Sequence, residues 1–231
     1  MIRNKIKKLN QVRLQQQTKR KYQQNKNIYS FWGKRPNLYN KGAFLTFMGR
    51  GKKIRRKAIE NLGLREGDTV LDLCCGTGLN FPYLLEKVGK TGKIIGVDLS
   101  KEMLQAARKN INKNGWQNIQ LINENATKLS LLPESVDGIF SSLGISTIPN
   151  QKKALGRAKN ILKENKKIVV LDAKSFSGIW KILNILIVPA YKKLALWDYK
   201  DKVIKSFAEV FLKYKIEEYN LKTIYILTGK K

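Results

Sequence analysis

The turn Val70-Leu71-Asp72-Leu73-Cys74-Cys75-Gly76-Thr77-Gly78-Leu79-Asn80, followed by a second apolar run ending Gly96-Val97-Asp98-Leu99-Ser100, constrains this chain more than any other feature. Apolar and free of Lys and Arg, Thr69 to Leu73 has the character of a buried parallel strand. Gly-Thr-Gly lets the backbone reverse into a helix while passing close to a ligand. Asp98 then falls at the tip of the next strand, facing the carboxyl-end crevice of a doubly wound sheet, where a carboxylate accepts hydrogen bonds from two ribose hydroxyls. Together the two segments predict a site for an adenosine-containing cofactor.

The turn separates two cofactor classes. Aligned on Gly76, the dinucleotide pattern G-x-G-x-x-G would put its outer glycines at Cys74 and Leu79, where neither stands. The chain has instead an acid, Asp72, before Gly-x-Gly, and this resembles motif I of the class I S-adenosylmethionine (AdoMet) methyltransferases. AdoMet carries a sulfonium and an ammonium rather than a pyrophosphate, so a carboxylate at the strand end attracts it where a dinucleotide would be repelled. The resemblance covers about residues 38 to 231 and implies a set of cofactor residues. These are Asp72, Cys74, Gly76, Thr77 and Gly78 in the turn, with Asp98 on the ribose and Leu99 beside it. Met103 belongs to the helix Lys101 to Asn110 that closes the adenine side, Asn125 and Ala126 follow the third strand, and Ser141 ends the fourth. Cys74 stands where the first glycine is commonest, and a Cys-Cys-Gly-Thr-Gly variant is familiar among lipid and quinone methyltransferases.

The implied fold is α/β: a Rossmann-like seven-stranded sheet with helices on both faces and a basic N-terminal extension. Strands are expected near residues 68–73, 93–98, 118–123, 136–141, 167–172, 216–219 and 223–228, the last two including an antiparallel hairpin. Residues 1–45 read as extension and lid, and 46–231 as the methyltransferase domain with an apolar insertion near 176–199. A chain of 231 residues is long enough to bury a full core of this kind. Its two cysteines are adjacent in the turn and build no disulfide framework, which points to a reducing compartment. No run approaches the ~20 apolar residues that span a bilayer, and the start Met1-Ile2-Arg3-Asn4-Lys5 lacks the apolar core of a secretion signal. The expected location is cytoplasmic and peripheral to a membrane.

Charge is the second strong signal. Lys and Arg number 46 against 17 acids, 18 of the basic residues lie before Glu60, and no acid precedes it. Such a segment favours anionic surfaces, although a Lys- and Asn-rich composition throughout the chain also produces a solvated basic tail without any partner. Ile6, Leu9, Val12 and Leu14 recur near helical spacing, which fits either a short amphipathic helix or an arm that orders on contact. In the resembled family an N-terminal Tyr-Asp element lies across the active site. Here the matching pair is Tyr39-Asn40, so Tyr39 is the candidate for orienting the acceptor, against ordinary packing at the sheet edge.

The residue inventory narrows the acceptor. With no histidine in the chain, proton transfer falls to Asp, Glu, Lys or Tyr, and no histidine metal site exists. No cysteine outside the turn is available for a pyrimidine adduct, and Ser141-Ser142-Leu143-Gly144 lacks the Asn/Asp-Pro-Pro-aromatic clamp of adenine methyltransferases. RNA methylation thereby loses its main chemical support. Phe176 to Tyr191 is apolar and aromatic and is followed by Lys192 and Lys193, which suits an apolar substrate channel or a helix lying in a membrane surface; a helix packed under the sheet has the same pattern. The whole resembles the ubiquinone/menaquinone methyltransferases and their relatives acting on lipid amines. The quinone enzymes carry Gly-Leu-Arg-Asn after strand four, and this chain has Gly144-Ile145-Ser146-Thr147. That departure favours transfer to the amine headgroup of a membrane lipid, with quinone C-methylation as the alternative and RNA as a further one. Arg50, Lys52 and Arg55 are the candidates for a headgroup phosphate.

Overall fold

The computed structural model describes residues 2–195 and 202–231, with side-chain surroundings for these except residues 2–10 and 14. The side chains of Ile6, Leu9 and Leu14, and residues 196–199 of the expected insertion, lie outside that description. Seven strands, β1 (Thr69–Leu73), β2 (Lys93–Asp98), β3 (Ile119–Asn123), β4 (Val136–Ser142), β5 (Leu162–Ala173), β6 (Tyr214–Tyr219) and β7 (Ile224–Lys230), form one sheet of order β3-β2-β1-β4-β5-β7-β6. The first five are parallel, and β7 runs antiparallel between β5 and β6. The strand order reverses direction between β1 and β4, which opens the crevice beyond their carboxyl ends.

Alternation along the strands explains the two-sided core. In β5, Ile168 and Val170 face one apolar layer while Val169 and Leu171 face the other. The first layer is completed by Leu155 and Ala158 of α6 (Gln151–Ile161) and Phe207 of α8 (Lys202–Val210). The second takes Ile54 and Ala58 from α3 (Gly51–Glu60), Phe81 and Leu84 from α4 (Phe81–Val88), and Leu104 and Ala107 from α5 (Lys101–Asn114). The Ser100 hydroxyl caps α5 by accepting from the Met103 N–H at 3.2 Å. β5 begins five residues earlier than expected. Asn165 adopts φ 62°, and the bend lets Leu162 pair with Val136 before the regular register resumes at Gly138 and Lys167.

The N-terminal segment forms one long helix, α1 (Ile2–Gly33), followed by α2 (Pro36–Thr46). The end of α1 sits on the start of α5 so closely that a Cβ on Gly33 would lie 2.5 Å from the Met103 nitrogen, and only glycine fits there. The expected insertion forms a six-residue 3-10 turn, Gly178–Leu183, and α7 (Asn184–Ala195), and neither contains a buried residue. Ile179, Leu186 and Ile185 are 86, 77 and 67% exposed. A helix packed under the sheet is therefore ruled out for this stretch. α7 is joined to the N-terminal helices by polar contacts: the Tyr29 hydroxyl donates to the Ala195 carbonyl at 3.1 Å, the Trp32 indole to the Leu194 carbonyl at 2.7 Å, and the Thr46 and Tyr191 hydroxyls lie 3.0 Å apart.

Candidate active site

Two joined cavities lie beyond the carboxyl ends of β1, β2, β4 and β5. The first is floored by the β1 turn. Cys74 (φ 60°) and Gly76 (φ 55°) carry the chain back on itself, and the Cys75 N–H is anchored to the Val97 carbonyl at 3.0 Å. Each oxygen of Asp98 accepts one backbone hydrogen bond, from Gly76 and Ser100, both at 2.9 Å. Burial raises the Asp98 pKa, and those N–H groups oppose the rise. Opposite, Asn125 Oδ1 accepts from the Thr127 N–H at 2.9 Å, which fixes the loop after β3. Cys74, Gly76, Asp98, Leu99, Asn125 and Ala126, all expected as cofactor residues, line this cleft together with Tyr39.

Five expected cofactor residues stand elsewhere. Asp72 is fully buried behind the turn, where Asn80 Nδ2 donates to its two oxygens at 3.0 and 3.2 Å and Arg55 Nε donates to Asn80 Oδ1 at 3.0 Å. Burial pushes the Asp72 carboxyl up to about 7. Gly78 faces α4, since a Cβ there would meet the Phe81 ring at 2.5 Å, so its glycine serves packing. Thr77 donates to Asn40 Oδ1 at 2.9 Å and ties the turn to α2. Met103 lies fully buried inside α5, and the buried Ser141 hydroxyl has no partner. Arg55 is likewise a structural residue. Its guanidinium lies over the Phe47 ring at 4.6 Å with its pKa lowered by burial, and none of Arg50, Lys52 and Arg55 lines either cavity.

The roof of the first cleft is α1. Tyr22, Asn25, Lys26 and Tyr29, at i, i+3, i+4 and i+7 on one helical face, extend over the turn, and the Asn25 amide donates to the Thr147 carbonyl. This spacing was available in the sequence, but the face is polar and aromatic and so escapes a search for apolar stripes. Beneath the roof the free space is about 60 Å³, against ~300 Å³ or more for most small-molecule sites, so α1 must draw back from the turn for a nucleoside to enter.

The second cavity, about 420 Å³, is mostly apolar. Trp32, Leu38, Leu45, Met48, Phe176 and Leu194 supply much of its wall, and it shares Tyr29, Tyr39, Leu143 and Thr147 with the first. Burial holds the Tyr29 and Tyr39 phenols well above their ordinary pKa, so both are neutral at the junction, the Tyr29 hydrogen being given to the Ala195 carbonyl. Ser146 and Asp172 form part of the floor. Neither was expected from sequence, although Asp172 shares with Asp98 the signature of an acid ending a parallel strand. Among the described residues no group of His, Cys, Asp and Glu is placed to hold a metal ion.

A strand-tip carboxylate held by two backbone N–H groups, a bare backbone turn beneath it and an amide-bearing loop opposite suit a nucleoside that also carries a short cationic chain. On this sheet they define an AdoMet-dependent methyltransferase. Residues 18–219 match the model of the ubiE/COQ5 methyltransferase family, and the chain belongs to that family. The demethylmenaquinone methyltransferase of Oceanobacillus iheyensis is 28% identical over 210 residues, which span 81% of this chain and 87% of the relative. Among solved structures, a SAM-dependent methyltransferase from Aquifex aeolicus superposes with a TM-score of 0.59 at 23% identity, covering 76% of this chain and 88% of that one. A phosphoethanolamine N-methyltransferase 2 of Haemonchus contortus, in complex with S-adenosylhomocysteine, gives 0.66 at 16% identity, covering 79 and 53%. The two structural likenesses establish the shared fold.

Proposed function

We propose that this methyltransferase methylates a ring carbon of a membrane quinol. One observation carries the reading: the acceptor cavity is apolar and large, and among the described residues the one Lys or Arg in its lining, Lys174, is already paired with Glu218. A phospholipid amine would bring a phosphate into this space with no unpaired cation among its described lining residues to meet it, and burying an unpaired anion is costly. An aromatic ring with an isoprenoid tail makes no such demand. The name of the Oceanobacillus relative supports the same acceptor. The lipid amine therefore becomes the second reading, favoured by the departure of Gly144-Ile145-Ser146-Thr147 from the Gly-Leu-Arg-Asn of the resembled quinone enzymes.

AdoMet supplies an electrophilic methyl group on sulfur. In this reading Asp98 would hold the ribose hydroxyls, Gly76 the amino-acid chain, and Asn125 and Ala126 the adenine. Tyr39 donates its hydroxyl to an acceptor oxygen at the junction of the cavities, and α1 keeps water out, so that positioning and desolvation supply much of the rate. We assign the exposed apolar surface of residues 178–194 to contact with an anionic bilayer. No acid occurs among residues 173–195, which contain Lys174, Lys181, Lys192 and Lys193, and Leu194 joins that surface to the cavity wall. Among the described residues no helix is long and apolar enough to cross a membrane.

Methyl-labelled AdoMet offered with a reduced demethylnaphthoquinol, phosphatidylethanolamine vesicles and total RNA discriminates the readings. Label is expected in the quinol. Label in the amine lipid or in RNA, with none in the quinol, would overturn the proposal.

A further inference from the structure

We propose that Ser146 and Asp172 form a proton relay in the floor of the acceptor cavity, the serine hydroxyl receiving the acceptor's O–H proton as its own passes to the carboxylate behind it. The inference rests on the quinol reading above. A ring carbon attacks a methyl group effectively only when the neighbouring hydroxyl has lost its proton, and a phenolic hydroxyl ionises near pH ~10. A group must therefore take that proton, and the chain contains no histidine.

Among the described residues that line the cavity, Asp172 is the one carboxylate. Tyr29 and Tyr39 are held neutral by burial, and Lys174 is engaged by Glu218. The Tyr191 hydroxyl contacts that of Thr46. Asp172, at the end of β5, accepts from the Ser146 hydroxyl at 2.8 Å, the Ser146 N–H at 3.0 Å and the Ala173 N–H at 2.8 Å. No cation is among the groups that shift its pKa. Near it on neighbouring elements, among the described residues, are the Cys74 thiol beyond β1 and Tyr225 opposite it on β7, while Lys174, two residues further along the chain, is paired with Glu218 on β6. Tyr29 and Tyr39 border the same cavity from α1 and α2.

Asp172 has no exposed surface, whereas Ser146 retains 4%. The Ser146 hydrogen is committed to Asp172, so the lone pairs of the hydroxyl are left to accept from an acceptor O–H.

The step balances. The acceptor O–H proton moves to Ser146 and the Ser146 proton to Asp172. The ring carbon beside the resulting oxyanion forms a bond to the methyl carbon as the sulfur-carbon bond breaks, its electron pair remaining on sulfur. The ring C–H proton then leaves to water, aromaticity returns, and the oxyanion regains a proton from Asp172 through Ser146. One proton is released per methyl group transferred.

The test compares two acceptors across pH: an ordinary demethylnaphthoquinol and a nitro-substituted quinol acidic enough to stay ionised well below the pH at which Asp172 titrates. With the ordinary quinol, wild-type kcat is expected to fall on the acid side with a midpoint near the about 6 to which burial raises Asp172; with the ionised one the acid limb should be absent. Asp172→Asn should lower kcat for the ordinary quinol by ~100-fold or more, leave AdoMet affinity by calorimetry within about two-fold, and leave the ionised quinol nearly unaffected. Ser146→Ala should show the same selective loss, and Ser146→Thr should restore activity. Optical titration of bound nitrophenol without AdoMet should show its ionisation favoured by the wild type and not by Asp172→Asn. Equal acid limbs for the two acceptors in the wild type, a measurement that needs no variant to fold, would overturn the relay alone. Equal loss for both acceptors in Asp172→Asn would do the same. Failure of the wild type to methylate any quinol would overturn the acceptor assignment and the relay with it.

Discussion

Asp72 and Asp98 end adjacent strands with the same side chain and face different surroundings. Asp98 stands in the cleft with backbone donors on both oxygens, so Asp98→Asn keeps the shape but weakens charge-assisted bonds worth ~1.5–3 kcal/mol each. AdoMet affinity measured by calorimetry is expected to fall by about 10- to 100-fold, and an unchanged affinity would remove Asp98 from the site. Asp72 acts on stability. Its folded pKa of about 7 lies above the value in an unfolded chain, so at low pH both states hold the proton. As the pH rises the unfolded chain releases it first, and stability falls until about pH 7, by ~1.4 kcal/mol per unit of upward shift. Asp172 adds a slope of the same sign up to about pH 6. Urea unfolding at about pH 5 and about pH 8 should show this decline, and Asp72→Asn should flatten it; equal slopes would refute the assignment. The glycine turn and both strand-end acids were legible because their chemistry is local. Sequence could not tell that Gly78 turns toward Phe81 or Asp72 toward Asn80, since the choice of face depends on what α4 packs against.

Strands and the helices over the core were legible as elements because period-two and helical spacing record burial directly. α1 was not: its face toward the cleft is built of tyrosine and asparagine, and its length exceeds any apolar stripe. The Asn25 amide bond to the Thr147 carbonyl is one fastening of this roof. Asn25→Ala should cost about 1 kcal/mol and speed release of S-adenosylhomocysteine in stopped-flow fluorescence; a release rate equal to wild type would mean the roof does not gate that site. At the other border of the acceptor cavity, the 3-10 turn and α7 expose residues that contribute little to the fold. Ile182→Asp with Leu186→Asp should leave the melting temperature nearly unchanged, because substitutions at such exposed positions usually fall within ~0.5 kcal/mol. Sedimentation with anionic vesicles should drop by roughly ten-fold or more, since each lost apolar contact is worth ~1.5–3 kcal/mol when fully buried. Vesicle binding that survives both changes would detach this surface from the membrane.

Across the whole molecule the formal charge is +29, and the acid-free residues 1–59 contribute 18 of the 46 basic side chains. Attraction between exposed charges fades as the Debye length shrinks from ~10 Å at 0.1 M salt to ~3 Å at 1 M. Binding to anionic vesicles should therefore weaken steeply with salt, leaving the smaller, salt-resistant part contributed by residues 178–194; equal binding to zwitterionic vesicles at low salt would exclude the charge as its cause. Tyr29 and Tyr39 each form part of the wall of both cavities. A wall common to two sites lets occupancy of one change affinity at the other, and any factor the cofactor product imposes on acceptor binding the acceptor must impose on the product. An occupied second cavity then changes how tightly the spent cofactor is held, with no dedicated regulatory site needed.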